Sequence, residues 1–300
     1  MRKVFITGAS GLLGRALVRE FQAKSGFEVL ATAFNRVGAG LIKLDLLDFG
    51  SVAEFLGAHK PDFIIHAAAE RRPDVCQNDP EATKALNIHA TKNIACIASQ
   101  IESWMLYIST NYVFDGTSPP YTPVSVTNPL NLYGESKLEG ERTMWQNVVS
   151  GGILRLPILY GEVETLDESS VTQIARALVA QSEIGIDDWA NRYPTFVDDV
   201  AYVCRQMLEY RSENSEFSGT YHWSGNQPMT KYQMAHVMAE VLESAVDHIV
   251  PVKHPPIGAP RPQDCQLDCT DLKSLGIGKQ TAFLEAIRIT LSSIDGVFDL

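Results

Sequence analysis

Apolar and polar positions alternate along this chain between two periods. Lys3 to Thr7 is a short run of strand-forming residues, and from Leu12 onward Leu13, Leu17 and Phe21 recur every fourth position, the stripe of an amphipathic helix. Phe27 to Phe34, Leu41 to Leu44, Asp62 to Ala68, Trp104 to Ser109 and Gly152 to Leu156 read as further strands, with helical stretches at Val52 to Ala58 and Ala82 to Gln100. Strands alternating with helices predict an α/β fold with a parallel sheet covered on both faces, because each crossover must return over the sheet. After Tyr160 and Gly161 the rhythm changes. An acidic loop, E-V-E-T-L-D-E, leads to a helix near Val171 to Val179, then a strand at Tyr221 to Ser224, a helix at Tyr232 to Leu242 and a Pro-rich loop at His254 to Pro262. The expected division is residues 1–161 plus 196–225 in the sheet domain and 162–195 plus 226–300 in a smaller, mixed lobe.

Composition narrows the function classes. Of 300 residues 45% are hydrophobic and 20% charged, the balance of a folded globular chain rather than a disordered one. The net charge of −11 repels polyanions, which argues against nucleic acid and anionic membrane surfaces as partners, so any anionic ligand must be held locally. No apolar run approaches the roughly 18 residues that a membrane span needs. The start, M-R-K-V-F-I-T-G, lacks the apolar core of a signal peptide. Cys76, Cys96, Cys204, Cys265 and Cys269 are scattered and form no C-x-x-C pair, and the seven histidines show no ligand spacing. Together these predict a cytoplasmic protein with neither a disulfide framework nor a metal site, and with His66 and His222 as core residues.

The segment Thr7-Gly8-Ala9-Ser10-Gly11-Leu12-Leu13-Gly14 joins the first strand to the first helix with glycines at every third position. Glycines there allow a tight turn and close approach to a pyrophosphate, while the free amides and dipole of the helix N-terminus attract the anion. A dinucleotide fold that prefers NAD places a carboxylate about 20 residues further on, for the ribose 2′-hydroxyl. This chain has Phe34-Asn35-Arg36 in that region, and a guanidinium matches a 2′-phosphate, so NADP is the expected cofactor, with Arg15 as a second candidate ligand. Asp45 and Leu46, after the third strand, are expected at the adenine edge. Ala67, Ala68 and Ala69, after the fourth, leave room for the nucleotide.

Tyr133 and Lys137 stand one helical turn apart and share a face, and Thr110 ends the fifth strand at the edge where parallel sheets bind ligands. A free phenol, with pKa near 10, is a sluggish acid at neutral pH. A neighbouring ammonium favours the phenolate, so Tyr133 could protonate a carbonyl oxygen that Thr110 holds.

The strings T-G-A-S-G-L-L-G, I-S-T-N-Y-V-F-D-G, N-P-L-N-L-Y-G-E-S-K-L and L-R-L-P-I-L-Y-G resemble those of extended short-chain dehydrogenases/reductases, specifically the dTDP-4-dehydrorhamnose reductase family. The strings A-A-A-E-R-R-P-D-V, H-W-S-G-N, M-T-K-Y and Q-L-D-C-T-D-L-K-S-L-G-I-G resemble the family's branch of methionine adenosyltransferase regulatory beta subunits. The resemblance implies a Rossmann-type doubly wound parallel sheet binding NADP, with Thr110, Tyr133 and Lys137 in the catalytic positions and Gly8, Gly11 and Gly14 on the pyrophosphate. Ser10, Leu12, Leu13 and Asn87 complete the implied cofactor set. It also implies a methionine adenosyltransferase catalytic subunit as partner or, on the reductase reading, a sugar nucleotide as substrate. Arg71, Arg72, Asn111 and Arg261 are the residues expected to face substrate or partner, with Trp189, Tyr193 and Thr195 as candidate cleft walls. The reductases usually carry Asp where this chain has Asn111, which removes a charge beside the reaction centre. Val297 and Phe298 resemble the chain end that is thought to dock the catalytic subunit.

Overall fold

The structure is a computed structural model and describes residues 1–180 and 182–292; Val297 and Phe298 lie outside the described residues. The strands are β1 (Arg2–Thr7), β2 (Phe27–Ala33), β3 (Ile42–Lys43), β4 (Phe63–His66), β5 (Trp104–Thr110), β6 (Gly151–Leu156), β7 (Leu159–Tyr160), β8 (Ile184–Asp187), β9 (Thr195–Phe196), β10 (Gly219–His222) and β11 (Ile249–Val252). The helices are α1 (Leu12–Gln22), α2 (Phe49–His59), α3 (Pro73–Asn78), α4 (Pro80–Lys84), α5 (Ala90–Gln100), α6 (Leu132–Asn147), α7 (Ile174–Leu178), α8 (Val197–Glu213), α9 (Lys231–Leu242), α10 (Thr270–Ser274) and α11 (Phe283–Ser292).

Seven strands form one parallel sheet in the order β10-β6-β5-β4-β1-β2-β3. The chain builds outward from β1 to β3, then returns to the other side of β1 with β4. That reversal opens a crevice at the carboxyl ends of β1 and β4, the place where doubly wound sheets bind ligands. Val4 to Thr7 and Phe63 to His66 are buried on both faces, as strands sandwiched between helices must be. On one face Leu17 and Phe21 of α1 pack with Val200, Cys204 and Met207 of α8. On the other, Val52 and Leu56 of α2, Ile94 and Ala98 of α5 and Met144 of α6 close the core. The smaller lobe has its own core, in which Ile174, Ile186, Met234, Met238, Phe283 and Leu291 meet. Segment 265–277, which the sequence assigns to that lobe, sends Cys265, Leu267, Leu272 and Ile277 into the sheet's core beside Trp223.

Several boundaries differ from the sequence pattern for identifiable reasons. The fourth strand stops at His66 because the Thr7 hydroxyl accepts the amides of Ala67 and Ala68, both at 3.1 Å, and turns the chain out of the ladder. The helix expected over 171–179 is regular only at α7. The Ser169 hydroxyl donates to Leu159 O and the Thr172 hydroxyl to Leu166 O, local bonds that compete with helix formation. Between α4 and α5 the backbone widens into one π-helical turn, Ala85–His89. Helix α8 was not read from the pattern.

Candidate functional site

A cleft of about 860 Å³ runs along the carboxyl edge of the sheet, from the β1–α1 turn to the smaller lobe. Gly8, Ser10, Gly11, Leu12, Leu13, Gly14, Phe34, Asn35, Arg36, Asp45, Leu46, Ala67, Ala68 and Ala69 all line it. Gly8 takes φ +68°, and a Cβ there would lie 2.9 Å from the Ala68 backbone. A Cβ on Gly14 would sit 2.1 Å from Gly8 O, so α1 can approach the turn only with glycine at that position. Gly11 caps α1 without a side chain and the first turn carries no acidic residue, which leaves the helix amides and the positive end of the dipole open to an anion.

Beneath the turn a buried chain of polar groups locks β1 to β4. The Thr91 hydroxyl donates to Asn87 O at 2.9 Å, so it accepts from His66 Nε2 at 3.0 Å, and His66 Nδ1 then accepts from Thr7 Oγ1 at 2.8 Å. Burial and the Lys137 charge push His66 down to about 3, so the ring is neutral, as this tautomer requires. His66 is a core residue of the sheet, and so is buried His222.

The two guanidiniums expected at a 2′-phosphate are both engaged from the acidic loop. Arg15 Nη2 lies 2.5 Å from Glu168 Oε2, and Arg36 Nη1 reaches both Glu168 and, at 2.8 Å, Glu164. Each arginine also donates to Ser10 O, at 2.9 and 2.8 Å, which holds both at the rim of the turn. Burial raises Glu168, but the hydrogen bonds from Arg15 and Arg36 outweigh it and hold the carboxyl at about 2. Arg71 donates to Glu168 O.

Further along the cleft stand Thr110, Tyr133 and Lys137. Asn131 caps α6 by accepting from Gly134 N at 2.9 Å, which places Tyr133 in the first turn. A Cβ on Gly134 would come within 2.2 Å of Tyr112 O, so glycine lets α6 seat against the end of β5. Burial raises the Tyr133 phenol to about 12, the reverse of the lowering expected from Lys137, with the Thr110 hydroxyl pulling the other way. Lys137 is buried, its Nζ 3.9 Å from the centre of the Tyr107 ring, and burial lowers it to about 7. Glu141, whose charge opposes that lowering, is already committed to Arg155 at 2.9 and 2.7 Å and to the Ser109 hydroxyl at 2.5 Å.

The far end is built where the smaller lobe meets the loops after β4 and β5. Asn111 lines the cleft and donates to Cys265 O at 3.2 Å. Arg261 pairs with Asp74 at 2.5 Å, while Arg72 pairs with Glu70 at 2.6 Å. Tyr193 faces the cleft, whereas Trp189 and Thr195 do not. Asn87 is not in the cleft wall either. It lies behind it, accepting from Glu70 N at 2.9 Å and donating to Glu70 O and Ser136 Oγ at 3.0 Å each, and so ties the loop after β4 to α6. Sequence reasoning missed Arg192, which pairs with Asp187 at 2.8 Å, and Lys231, which has no hydrogen bond or ion pair among the described residues. Burial and the charges of Arg192 and Arg261 lower Lys231 to about 8. The string M-T-K-Y carried that lysine, but only the fold shows that it faces the cleft.

The described residues contain no group of three or more His, Cys, Asp or Glu placed to hold a metal ion, and no helix long and apolar enough to cross a membrane. The five cysteines are free thiols.

The model of the RmlD substrate binding domain matches residues 1–295. The chain is 44% identical over 292 residues to methionine adenosyltransferase 2 subunit beta of Bos taurus, covering 97% of this chain and 87% of that one. It is 30% identical over 284 residues to the dTDP-4-dehydrorhamnose reductase of Aggregatibacter actinomycetemcomitans, covering 91% and 92%. Among solved structures, the dTDP-4-dehydrorhamnose reductase of Bacillus anthracis in complex with NADP superposes with a TM-score of 0.83 at 24% identity, covering 97% and 98%. That likeness shows the fold, a Rossmann-type doubly wound sheet.

Proposed function

Since the chain belongs to the RmlD substrate binding domain family, we propose that it is an NADP-binding regulatory subunit of methionine adenosyltransferase, acting in S-adenosylmethionine synthesis. One observation carries this reading: the 44% identity to a methionine adenosyltransferase beta subunit extends over 97% of the chain, against 30% for a reductase. The partner is then a methionine adenosyltransferase catalytic subunit. Free thiols throughout suit a reducing, cytoplasmic setting. In this reading residues 1–161 plus 196–225 serve the dinucleotide and most of 162–195 plus 226–300 serves the substrate or partner, with the 162–168 loop reaching back to the turn and 265–277 packed into the sheet's core.

The turn fits NADP. The Ala9 and Gly11 amides are spent on Thr32 O and Gly8 O, at 3.0 and 2.9 Å, so the amides of Ser10, Leu12 and Leu13 are the ones that would hold the pyrophosphate. Arg36 and Arg15 would take the 2′-phosphate, and Asp45 with Leu46 the adenine edge. The alanines at 67–69 give the dinucleotide a small-residue floor.

A second reading, an NADPH-dependent 4-keto sugar nucleotide reductase, draws support from Thr110, Tyr133 and Lys137 lining one cleft. When bound, the nicotinamide supplies hydride. Burial holds Tyr133 at about 12, so it would stay protonated until it gives its phenolic proton to the substrate oxygen that Thr110 holds. Asn111 stands where the reductases usually carry a carboxylate, which weakens this reading.

The two readings separate in a paired assay. Tagged protein is mixed with a methionine adenosyltransferase catalytic subunit, and NADPH oxidation is followed with a dTDP-4-keto-6-deoxy sugar. Capture of the subunit without turnover is expected. Turnover that Tyr133→Phe abolishes, with no subunit captured, would reverse the preference.

A further inference from the structure

The acidic loop after β7 does more than connect two lobes. It comes back across the rim of the β1–α1 turn and sets a carboxylate among the cations that the turn collects. Glu168 accepts from Arg15 Nη1 at 3.2 Å, Arg15 Nη2 at 2.5 Å, Arg36 Nη1 and the Glu164 amide at 2.9 Å. Its carbonyl accepts from Arg71, and the side chain is only 10% exposed although the neighbouring Glu164 is 56% exposed. Arg15 is further tied to Glu162 O at 3.1 Å. The loop is braced on its outer side by Arg176, which pairs with Asp167 at 2.5 Å.

We propose that Glu168 is the residue that sets this protein's choice between NADPH and NADH, because its carboxylate engages both of the guanidiniums expected to take a 2′-phosphate. The proposal rests on the reading of the turn as a dinucleotide site. Two guanidiniums sharing one anion make a bidentate receptor for a single tetrahedral or planar oxyanion group. A 2′-phosphate cannot join Glu168 there, since two anions at one position repel, so NADPH binds only as the carboxylate swings out. A 2′-hydroxyl carries no charge and can donate to Glu168 where it stands, so NADH leaves the loop closed. Arg36 alone would predict a plain preference for NADPH; Arg36 held by Glu168 predicts a preference reduced by the cost of opening the loop. Glu164, which also touches Arg36 but is exposed, contributes in the same direction and less.

The test is calorimetric titration of the full chain with NADPH and with NADH, for the wild type, Glu168→Gln and Glu164→Gln. Thermal melts run alongside to establish folding. With one repelling charge removed from a partly screened site, Glu168→Gln is expected to bind NADPH about 5- to 10-fold more tightly, and NADH equally or up to about threefold more weakly. Glu164→Gln should move the ratio the same way by about twofold. In the wild type, hydrogen exchange at the Glu164 amide should quicken with NADPH and not with NADH. Equal changes for both dinucleotides, or weaker NADPH binding in a folded Glu168→Gln or Glu164→Gln protein, would overturn the proposal. A wild type that binds neither dinucleotide would instead overturn the cofactor reading beneath it.

Discussion

The two ends of the cleft treat their cations in opposite ways. At the turn, Arg15 and Arg36 share carboxylates from a loop about 130 to 150 residues away in sequence. Beyond the turn, Lys137 and Lys231 make no ion pair or hydrogen bond with a carboxylate among the described residues; Glu141 and Asp187 act on them only at longer range, and burial lowers both. A paired guanidinium at a rim is in a stable arrangement that a ligand must displace. An unpaired lysine inside a wall is a cost the fold carries until something anionic or polar arrives. The first end therefore selects its ligand by competition and the second by unmet demand.

The most severe way to break the first end is Gly14→Ala. The new methyl would meet Gly8 O at 2.1 Å and Ala9 Cα at 2.7 Å, both backbone atoms that cannot yield without moving α1. The expected loss is on the order of 3 kcal/mol of stability, with NADPH binding abolished. Gly57→Ala in α2, where a Cβ meets nothing within 4 Å, should be neutral or slightly stabilising and serves as the control. Thermal melts and NADPH titration read both. A Gly14→Ala protein that melts and binds like the wild type would remove the turn from the site.

Arg36→Asp reverses the charge at the rim and sets a third carboxylate beside Glu164 and Glu168. NADPH should bind about 100-fold more weakly and NADH within a few-fold of the wild type, because only the phosphate uses that guanidinium. Equal losses would mean that Arg36 holds the loop and not the ligand.

Lys137→Met probes the second end through pH. The folded Lys137 sits at about 7, well below the ordinary lysine value near 10.5. Below pH 7 both folded and unfolded chains are charged, and the folded state carries the whole desolvation cost. Between pH 7 and 10.5 the unfolded chain binds the extra proton, so stability rises with pH in that window. Replacing the ammonium with an apolar chain of similar length should therefore raise the melting temperature most at pH 6, with the gain shrinking through pH 9. A gain that is constant with pH would place the lysine in solvent.

What could be read from the sequence follows the same divide. The turn was legible because Gly8, Gly11 and Gly14 act within one local segment, and β1, β2, β4, β5 and β6 because apolar runs report buried strands directly, whereas β3 shrinks to two exposed residues at the sheet's edge. The Tyr133–Lys137 spacing gave the helix face, and Thr110 the strand end. Glu168 was visible only as part of an acidic loop, since nothing local says that residues 162–168 fold back on Arg15. Asn87 was read as a cofactor ligand, yet it sits in the π-helical turn and works on Glu70 and Ser136 from behind the wall. The paired short strands β7–β9 and β8–β11 are set by tertiary packing, whereas helix α8 carries a legible stripe, Val197, Val200, Ala201, Cys204, Met207 and Leu208, that the strand-and-helix reading passed over.

The smallest effect sharpens the comparison at its boundary. Arg71 and Arg72 are neighbours in sequence, but they belong to different parts of the cleft's rim. Arg71 donates to the Glu168 carbonyl and so helps hold the loop, whereas Arg72 folds onto Glu70 two residues away, with Nε at 2.8 Å and Nη2 at 2.6 Å. The Arg72 side chain is 63% exposed, and an exposed pair of this kind contributes about 0.5 kcal/mol or less. Arg72→Ala should leave NADPH affinity unchanged and shift the melting temperature by a degree or so, since Asn87 still pins the Glu70 backbone from both sides. Arg71→Ala removes one tether of the loop and should tighten NADPH slightly, by about twofold, in the direction of Glu168→Gln. If the two alanine variants behave alike in titration, the loop is not held by Arg71, and the closed arrangement at the turn depends on Arg15 and Arg36 alone.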